Sequence, residues 1–273
     1  MTVALAVVAG VLIGLSLGAL GGGGSILAVP VLVYLLGQDA AQATTGSLVV
    51  VGVTAVIGAV TAHRSGNVRL GQGLVFGMVA TGGAVLGAAM STRVSGDVLL
   101  AAFAALMLVV GAMLVVKQVR GRRGRPTESD VPPTDDPIIT FSPTFACHCP
   151  RALKILVTAT VVGALTGFLG VGGGFVVVPA LVLALGLQMR HAVGTSLVVI
   201  AVTSAVALAV RAGADVRPDW GAVLTLTVAS ALAAVVGARL AARIDTGKLQ
   251  AAFTVLVLAV AVFMAARALP GLV

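Results

Sequence analysis

The sequence predicts an all-α, polytopic membrane protein built from two homologous repeats. Three observations carry that reading. The 273 residues are 59% hydrophobic and only 10% charged, with a mean hydropathy of +1.15. Several apolar runs approach or exceed the roughly 18 to 20 residues that cross a bilayer. The second half of the chain repeats the first at a shift of 149 residues. No soluble domain of this length leaves so little polar surface for water. The net charge of +8 does not point to nucleic acid, because most basic residues lie between apolar runs, where they set topology. The first apolar run continues past Gly21 to Leu36 without a small-residue cleavage site and a polar mature region, so it is kept as structure.

In chain order, apolar segments cover 3–20, 25–36, 43–62, 70–92 and 98–116. A polar stretch follows, holding Lys117, Arg120, Arg122, Arg123 and Arg125, then Glu128, Asp130, Asp135 and Asp136. It cannot bury a core and reads as a linker. The pattern restarts over 153–169, 174–186, 192–210, 219–242 and 249–269. The expected units are an N-terminal transmembrane repeat at 1–116, a cytoplasmic linker at 117–151 and a C-terminal transmembrane repeat at 152–273.

The repeat is organised around two glycine runs. Gly21-Gly22-Gly23-Gly24-Ser25 precedes Pro30, and Gly170-Val171-Gly172-Gly173-Gly174 precedes Pro179. Gly14 and Gly18 fall on Gly163 and Gly167, and Ala43–Val50 falls on Ala192–Val199. With small shifts in the loops, Gly87 matches Gly237 and Phe103 matches Phe253. Consecutive glycines suit a helix interior poorly, at about 1 kcal/mol each against Ala. Broken backbone at membrane depth is tolerated only inside protein or beside a wet cavity. The two breaks therefore read as halves of one site, at the repeat interface where secondary transporters bind their substrates. Gly10, Gly14 and Gly18 recur every fourth residue and read as a helix-packing face.

If each break is a hairpin, each half has five membrane segments and the repeats are inverted. If each is only a kink, each half has four and the repeats are parallel. The expectation is about 8 spans, or 10 membrane segments. With five, 13 of the 17 Lys and Arg lie inside; with four, 12 do, so the positive-inside rule does not choose. A single helix over 3–36 would be about 50 Å long at 1.5 Å per residue. That length favours the hairpin, and hence inversion.

The glycine runs contain a G-x-G pattern, but no strand or βαβ unit precedes it and no Lys-Ser/Thr follows, so nucleotide loops are excluded. A helix starting near Ser25 or Gly174 offers unpaired N–H groups and a positive dipole end, which favour an anion. Thr44, Thr45, Ser47, Thr195 and Ser196 are expected to open the next helix of each half, capping it or donating to a ligand. The candidate binding set is Gly21, Gly22, Gly23, Gly24, Ser25, Thr44, Thr45 and Ser47 with Gly170, Gly172, Gly173, Gly174, Thr195 and Ser196. All nine acids lie in the linker or near segment ends, so no mid-span carboxylate marks a proton relay. His63-Arg64 and Arg190-His191 stand at segment edges, either as ordinary interface charge or as attractors of anions. Trp220 and Tyr34 read as interface anchors. Cys147-His148-Cys149-Pro150 holds the only cysteines. Two thiolates and an imidazole fall short of the usual four ligands and wider spacing of structural zinc, and an ordinary reduced loop is the simpler account. No cofactor, metal or catalytic residue is expected.

The paired glycine breaks with their following prolines, the Ala43–Val50 and Ala192–Val199 segments ending in Ser-Leu-Val-Val, and the duplicated layout resemble the TauE/SafE family of sulfite and organosulfur-anion exporters. The resemblance covers almost the whole chain apart from the linker. It implies export or permeation of sulfite, thiosulfate, sulfoacetate or another sulfonate through a bacterial-type plasma membrane. Ser25 stands where the second half has Gly174, and Thr44-Thr45 face Val193-Gly194, so the half-sites are unequal. Expected partners are the small anion and the lipid bilayer, with a homodimer left open. A passive anion channel, and a membrane protein handling sulfur through Cys147 and Cys149, stand as alternatives.

Overall fold

The computed structural model describes residues 2–91, 105–106, 108–116, 149–169, 174–183, 185–211 and 219–268. All regular structure among them is helical. Helix α1 covers Thr2–Leu20; α2 covers Gly23–Pro30 and continues as a π turn, Val31–Leu35. Helix α3 covers Ala40–Arg64 and α4 covers Leu70–Ser91. Residues 108–116 form α5. The second half contains α6 (Cys149–Leu169), α7 (Gly174–Leu183), α8 (Met189–Arg211), α9 (Trp220–Arg243) and α10 (Thr246–Ala268). Gln42–Arg64, Leu70–Gly87, Met189–Val210 and Trp220–Arg243 are each long and apolar enough to cross a membrane.

Each long helix is apolar all round, and its faces are sorted by size. On α9, Ser230, Ala234, Gly237, Ala238 and Ala241 are buried, while Leu224, Val228, Leu232, Val236 and Leu240 are exposed. Lipid is as apolar as leucine, so large side chains can face outward. Small ones face inward, where they let backbones approach and gain dispersion contacts.

The glycines show which helices meet. A Cβ on Gly14 would run into the Ser230 carbonyl of α9, and one on Gly18 into that of Ala234. At the matching places in the repeat, Gly163 of α6 meets Ala80 of α4 and Gly167 meets Ala84. Gly87 lies against Ala164 and Phe168, and Gly237 against Leu15 and Ala19. The agreement is residue for residue, with the partners exchanged. The first helix of each repeat packs along the fourth helix of the other. Rising numbers run together in both seams, so α1 is parallel to α9 and α6 is parallel to α4.

Direction in the centre decides the topology. Gly52 of α3 packs on Ser204 of α8, and Gly58 packs on Leu197, so α3 and α8 are antiparallel. They are repeat counterparts, so the two repeats are inverted. Gly46 beside Val223 and the Thr54–Ser230 hydroxyl pair at 2.9 Å make α3 parallel to α9, and hence to α1. The chain must therefore return between α1 and α3, and α2 makes that return. Gly24 of α2 lies against Ile13 and Leu17 of α1, closing a tight hairpin. Of the expected segment 98–116, residues 105–106 and 108–116 are described. Helices α3, α6, α8 and α10 each begin a few residues before the expected starts, and α2 begins at Gly23, not near Ser25. Glycine is admitted there because Gly24 has no room for a side chain against α1. After Pro30, which has no N–H to donate, the helix widens and the Leu36 amide donates to the Val31 carbonyl at 3.1 Å.

The α3–α4 turn and the start of α9 consequently lie on opposite faces. Cysteines placed at Ser65 and Trp220, in a Cys147→Ser/Cys149→Ser background, are expected to react with an impermeant thiol reagent from opposite sides. Labelling of both from one side would contradict the inverted arrangement.

Candidate functional site

The first break is sharp and fully buried. Gly21 sits at φ +74°, a left-handed conformation that costs other residues about 1–2 kcal/mol. Its amide still donates to Leu17 at 2.8 Å, closing α1. Gly22 caps α2 without any side-chain acceptor, and the Ser25 amide donates to the Gly22 carbonyl at 3.3 Å. Gly21, Gly22, Gly23, Gly24 and Ser25 are all buried.

The two half-sites meet at one point. A Cβ on Gly174, the first residue of α7, would lie 2.8 Å from Ser25 Oγ and 3.0 Å from the Gly22 Cα. Ser25 and Gly174 are counterparts at the shift of 149, so the pseudo-two-fold axis passes between them. From this crossing α2 and α7 run in opposite directions, their N-terminal turns side by side. Gly21 faces the other repeat too, where a Cβ would lie 2.5 Å from Ser196 Oγ and 3.0 Å from the Val193 Cα of α8. Gly23 instead faces Leu256 of α10. In this conformation the crossing is close-packed, so a ligand enters only if the hairpins part. Gly170, Gly172 and Gly173 lie outside the described residues.

The hydroxyls are placed differently from the expectation that they open helices. Helix α3 starts at Ala40 and α8 at Met189, so Thr44, Thr45, Ser47, Thr195 and Ser196 fall in the second turn and cannot cap. Ser47 donates to the Thr44 carbonyl and Ser196 to that of Val193, both at 2.8 Å. Ser25 donates to Gly22 at 2.7 Å. A serine in helix readily bonds back to its own preceding turn, leaving oxygen lone pairs rather than the proton for other contacts. Thr195 Oγ1 accepts from the Arg69 amide at 3.2 Å and so ties α8 to the α3–α4 turn. Ser25, Ser47, Thr45, Thr195 and Ser196 are all buried.

A small cleft lies near the first break on one face. Gly18, Ala62, Asn67, Arg190, Val193, Gly194, Ala238 and Leu249 line it. Val193 belongs to both the cleft and the wall facing Gly21. Arg190 is one helical turn earlier on α8, and its Nη2 donates to the Ile244 carbonyl at 3.3 Å. Its Nε is buried without a partner. At the other end of the core, Gln38 is buried with neither amide atom partnered, close to Gly46. Gln38 escaped the candidate set because its signal is faint: one amide where the repeat has Leu187. Among the described residues no group of three or more His, Cys, Asp or Glu could hold a metal ion. Cys147 and His148 lie outside the described residues, and only the helical backbone of Cys149 is described.

Inverted helical repeats, with a buried break at Gly21–Gly22 beside the start of α7, define a multi-pass membrane transporter. The chain belongs to the sulfite exporter TauE/SafE family, whose model matches residues 6–264. It is 32% identical over 267 residues to a "Probable membrane transporter protein" of Xylella fastidiosa strain 9a5c, covering 97% of this chain and 95% of that one. It is 28% identical over 191 residues to the "Probable membrane transporter protein YdhB" of Bacillus subtilis strain 168, covering 69% and 70%. No solved structure matches the chain.

Proposed function

We propose that the protein exports a small sulfur-containing anion, such as sulfite, thiosulfate or a sulfonate, across the cell membrane. The anion binds at the crossing of α2 and α7 and is released by alternate parting of the two hairpins. The observation that carries this reading is the contact of repeat counterparts Ser25 and Gly174 at two buried helix starts. Two positive dipole ends, the first without a side-chain cap, suit an oxyanion. Charge neutralisation by a mid-span cation is not required, because peptide dipoles supply the field.

The ends of α3 and α9 and the starts of α4, α8 and α10 share one face, carrying Arg64, Arg69, Arg190, Arg243 and Lys248. The positive-inside rule makes that face cytoplasmic, together with the 117–151 linker. An anion leaving from it moves down the potential, worth about 2.3 kcal/mol per charge per 100 mV. The substrate passes unchanged, so no catalytic residue is assigned.

The test is flux in proteoliposomes with sulfite, thiosulfate and sulfoacetate at set voltage and pH. Saturable, voltage-dependent flux with counterflow is expected, and Cys147→Ser/Cys149→Ser should retain it fully. Absence of flux for all three anions, with another small anion carried, would remove the sulfur assignment. Flux that never saturates and shows no counterflow would instead establish a channel. When the hairpins part, Ser196 turns its proton from the Val193 carbonyl to the anion, so Ser196→Ala should weaken apparent affinity by about 0.5–1.5 kcal/mol, the worth of one neutral hydrogen bond, with little change in maximal rate.

A further inference from the structure

We infer that Arg190 is the anion-capturing residue of the protein, holding an oxyanion in the cleft on the basic face before it reaches the glycine crossing. This rests on the transport reading above and adds the residue that makes one mouth selective for anions.

Four observations converge on Arg190. It lines the cleft together with Asn67, Gly18 and Val193. Val193 also forms the wall opposite Gly21, so one residue separates the cleft from the first break. Only one guanidinium contact is used internally, Nη2 to the Ile244 carbonyl, and it is long at 3.3 Å. The Nε–H is buried and unpartnered. A buried unpartnered donor is costly, and a guanidinium fork satisfies two such donors at once on an oxyanion. Among the described residues no carboxylate pairs with Arg190; the acid near the same face, Asp245, pairs with Lys248 at 3.8 Å.

The register along α8 gives the route. Arg190, Val193 and Ser196 follow each other at three-residue spacing, and Ile200 stands one turn further, beside Gly174. These positions share one helix face. An anion taken by Arg190 needs to move only along this face to arrive between Gly21 and Gly174. The other mouth lacks this device. At the shift of 149, the counterpart of Arg190 is Ala41, and the polar group on that side is the neutral Gln38. The inverted repeats therefore present chemically unequal mouths, with Arg190 on the basic face and Ala41 at the counterpart position on the other. Loading from the basic face is favoured, and the counterpart position on the opposite face carries no guanidinium.

The competing account is structural: Arg190 would serve only to hold the C-terminal end of α9 through Ile244. The two accounts separate on charge dependence. The experiment uses the full chain in proteoliposomes and whichever of sulfite, thiosulfate and sulfoacetate the wild type carries. Arg190→Gln should raise the half-saturation concentration from the basic face by about tenfold or more, the worth of one charge-assisted hydrogen bond. Arg190→Lys should recover most of it, and half-saturation from the opposite face should change by less than about threefold.

Because Arg190→Gln also removes the Ile244 contact, a second variant reads charge alone. Arg190→Cys in the Cys147→Ser/Cys149→Ser background is reconstituted and then alkylated in place. 2-Bromoethylamine installs a cation and should lower half-saturation. Iodoacetate installs an anion and should raise it further. Equal effects of the two reagents, or an unchanged half-saturation in Arg190→Gln, would overturn the inference while leaving the transport reading intact. Failure of the wild type to carry any of the three anions would overturn both.

Discussion

Gly174→Val should stop transport while the protein still folds and reaches the membrane. A Cβ at Gly174 would stand 2.7 Å from Ile200 Cδ1, 2.8 Å from Ser25 Oγ and 3.0 Å from Gly22 Cα. Two of these neighbours are ends of side chains that can rotate. The third is backbone at the break itself. Overpacking of this kind costs about 1–3 kcal/mol, which a protein of ordinary stability survives. The crossing, however, must part and reclose around a ligand in every cycle. Two added methyl groups on the axis fill the space the ligand would take and shield the first-turn amides. The comparison that makes this specific is Gly23→Val. Gly23 faces the flexible end of Leu256, 2.8 Å from a built Cβ, so this variant should keep measurable transport. Initial flux, normalised to folded protein recovered by size exclusion, reads both. Wild-type flux in Gly174→Val would place the anion's path away from the crossing.

Gly163→Val and Gly14→Val should have the largest effects on folding. Built Cβ atoms at these positions overlap the backbone carbonyls of Ala80 and Ser230. Backbone cannot rotate aside, so α6 must move off α4, or α1 off α9. Each seam is a continuous glycine–alanine contact, and moving one helix loses dispersion contacts along its length. The expected result is a sharp fall in folded yield and thermal stability, exceeding that of Gly174→Val. Gly14→Ala should show a milder form of the same loss, with substrate affinity nearly unchanged. Gly14→Ala and Gly163→Ala act on separate seams and share no partners, so their effects on unfolding free energy should add. Unchanged melting in detergent for both Val variants would mean that the seams are not close-packed in the folded protein.

Much of the architecture can be read from the residues. Composition alone requires lipid around this chain. The repeated glycine-to-proline spacing marks the two hairpins, and the fourth-residue spacing of Gly10, Gly14 and Gly18 marks a packing face. The same spacing is silent about the partner. Only the fold shows that each repeat sends its first helix to the other repeat's fourth, because a small-residue face fits any other small-residue face. The hydroxyls illustrate a second limit. Thr45 and Ser196 look like helix openers because a polar cluster precedes an apolar run. In a membrane helix the start is set by the lipid boundary, so Ala40 and Met189 begin these helices several residues earlier.

By itself, then, the sequence determined that the protein is helical, membrane-embedded and duplicated, with a buried glycine break after α1. These follow from hydropathy, which acts on every segment independently, and from backbone sterics, which act within a few residues. It did not choose between four and five segments per repeat, since the charge rule fits both. The tertiary structure decided that choice through the antiparallel contact of α3 with α8. It also decided what each glycine faces across the repeats: Gly21 faces Val193 and Ser196 of α8, Gly174 faces Gly22 and Ser25, and Gly23 faces the side-chain end of Leu256 in α10. Arg190 beside the first break, and the unpartnered Gln38 at the far end, came from the structure as well. Such facts depend on residues more than a hundred positions apart becoming neighbours, and no local pattern of hydropathy, spacing or charge encodes which distant residue will stand opposite.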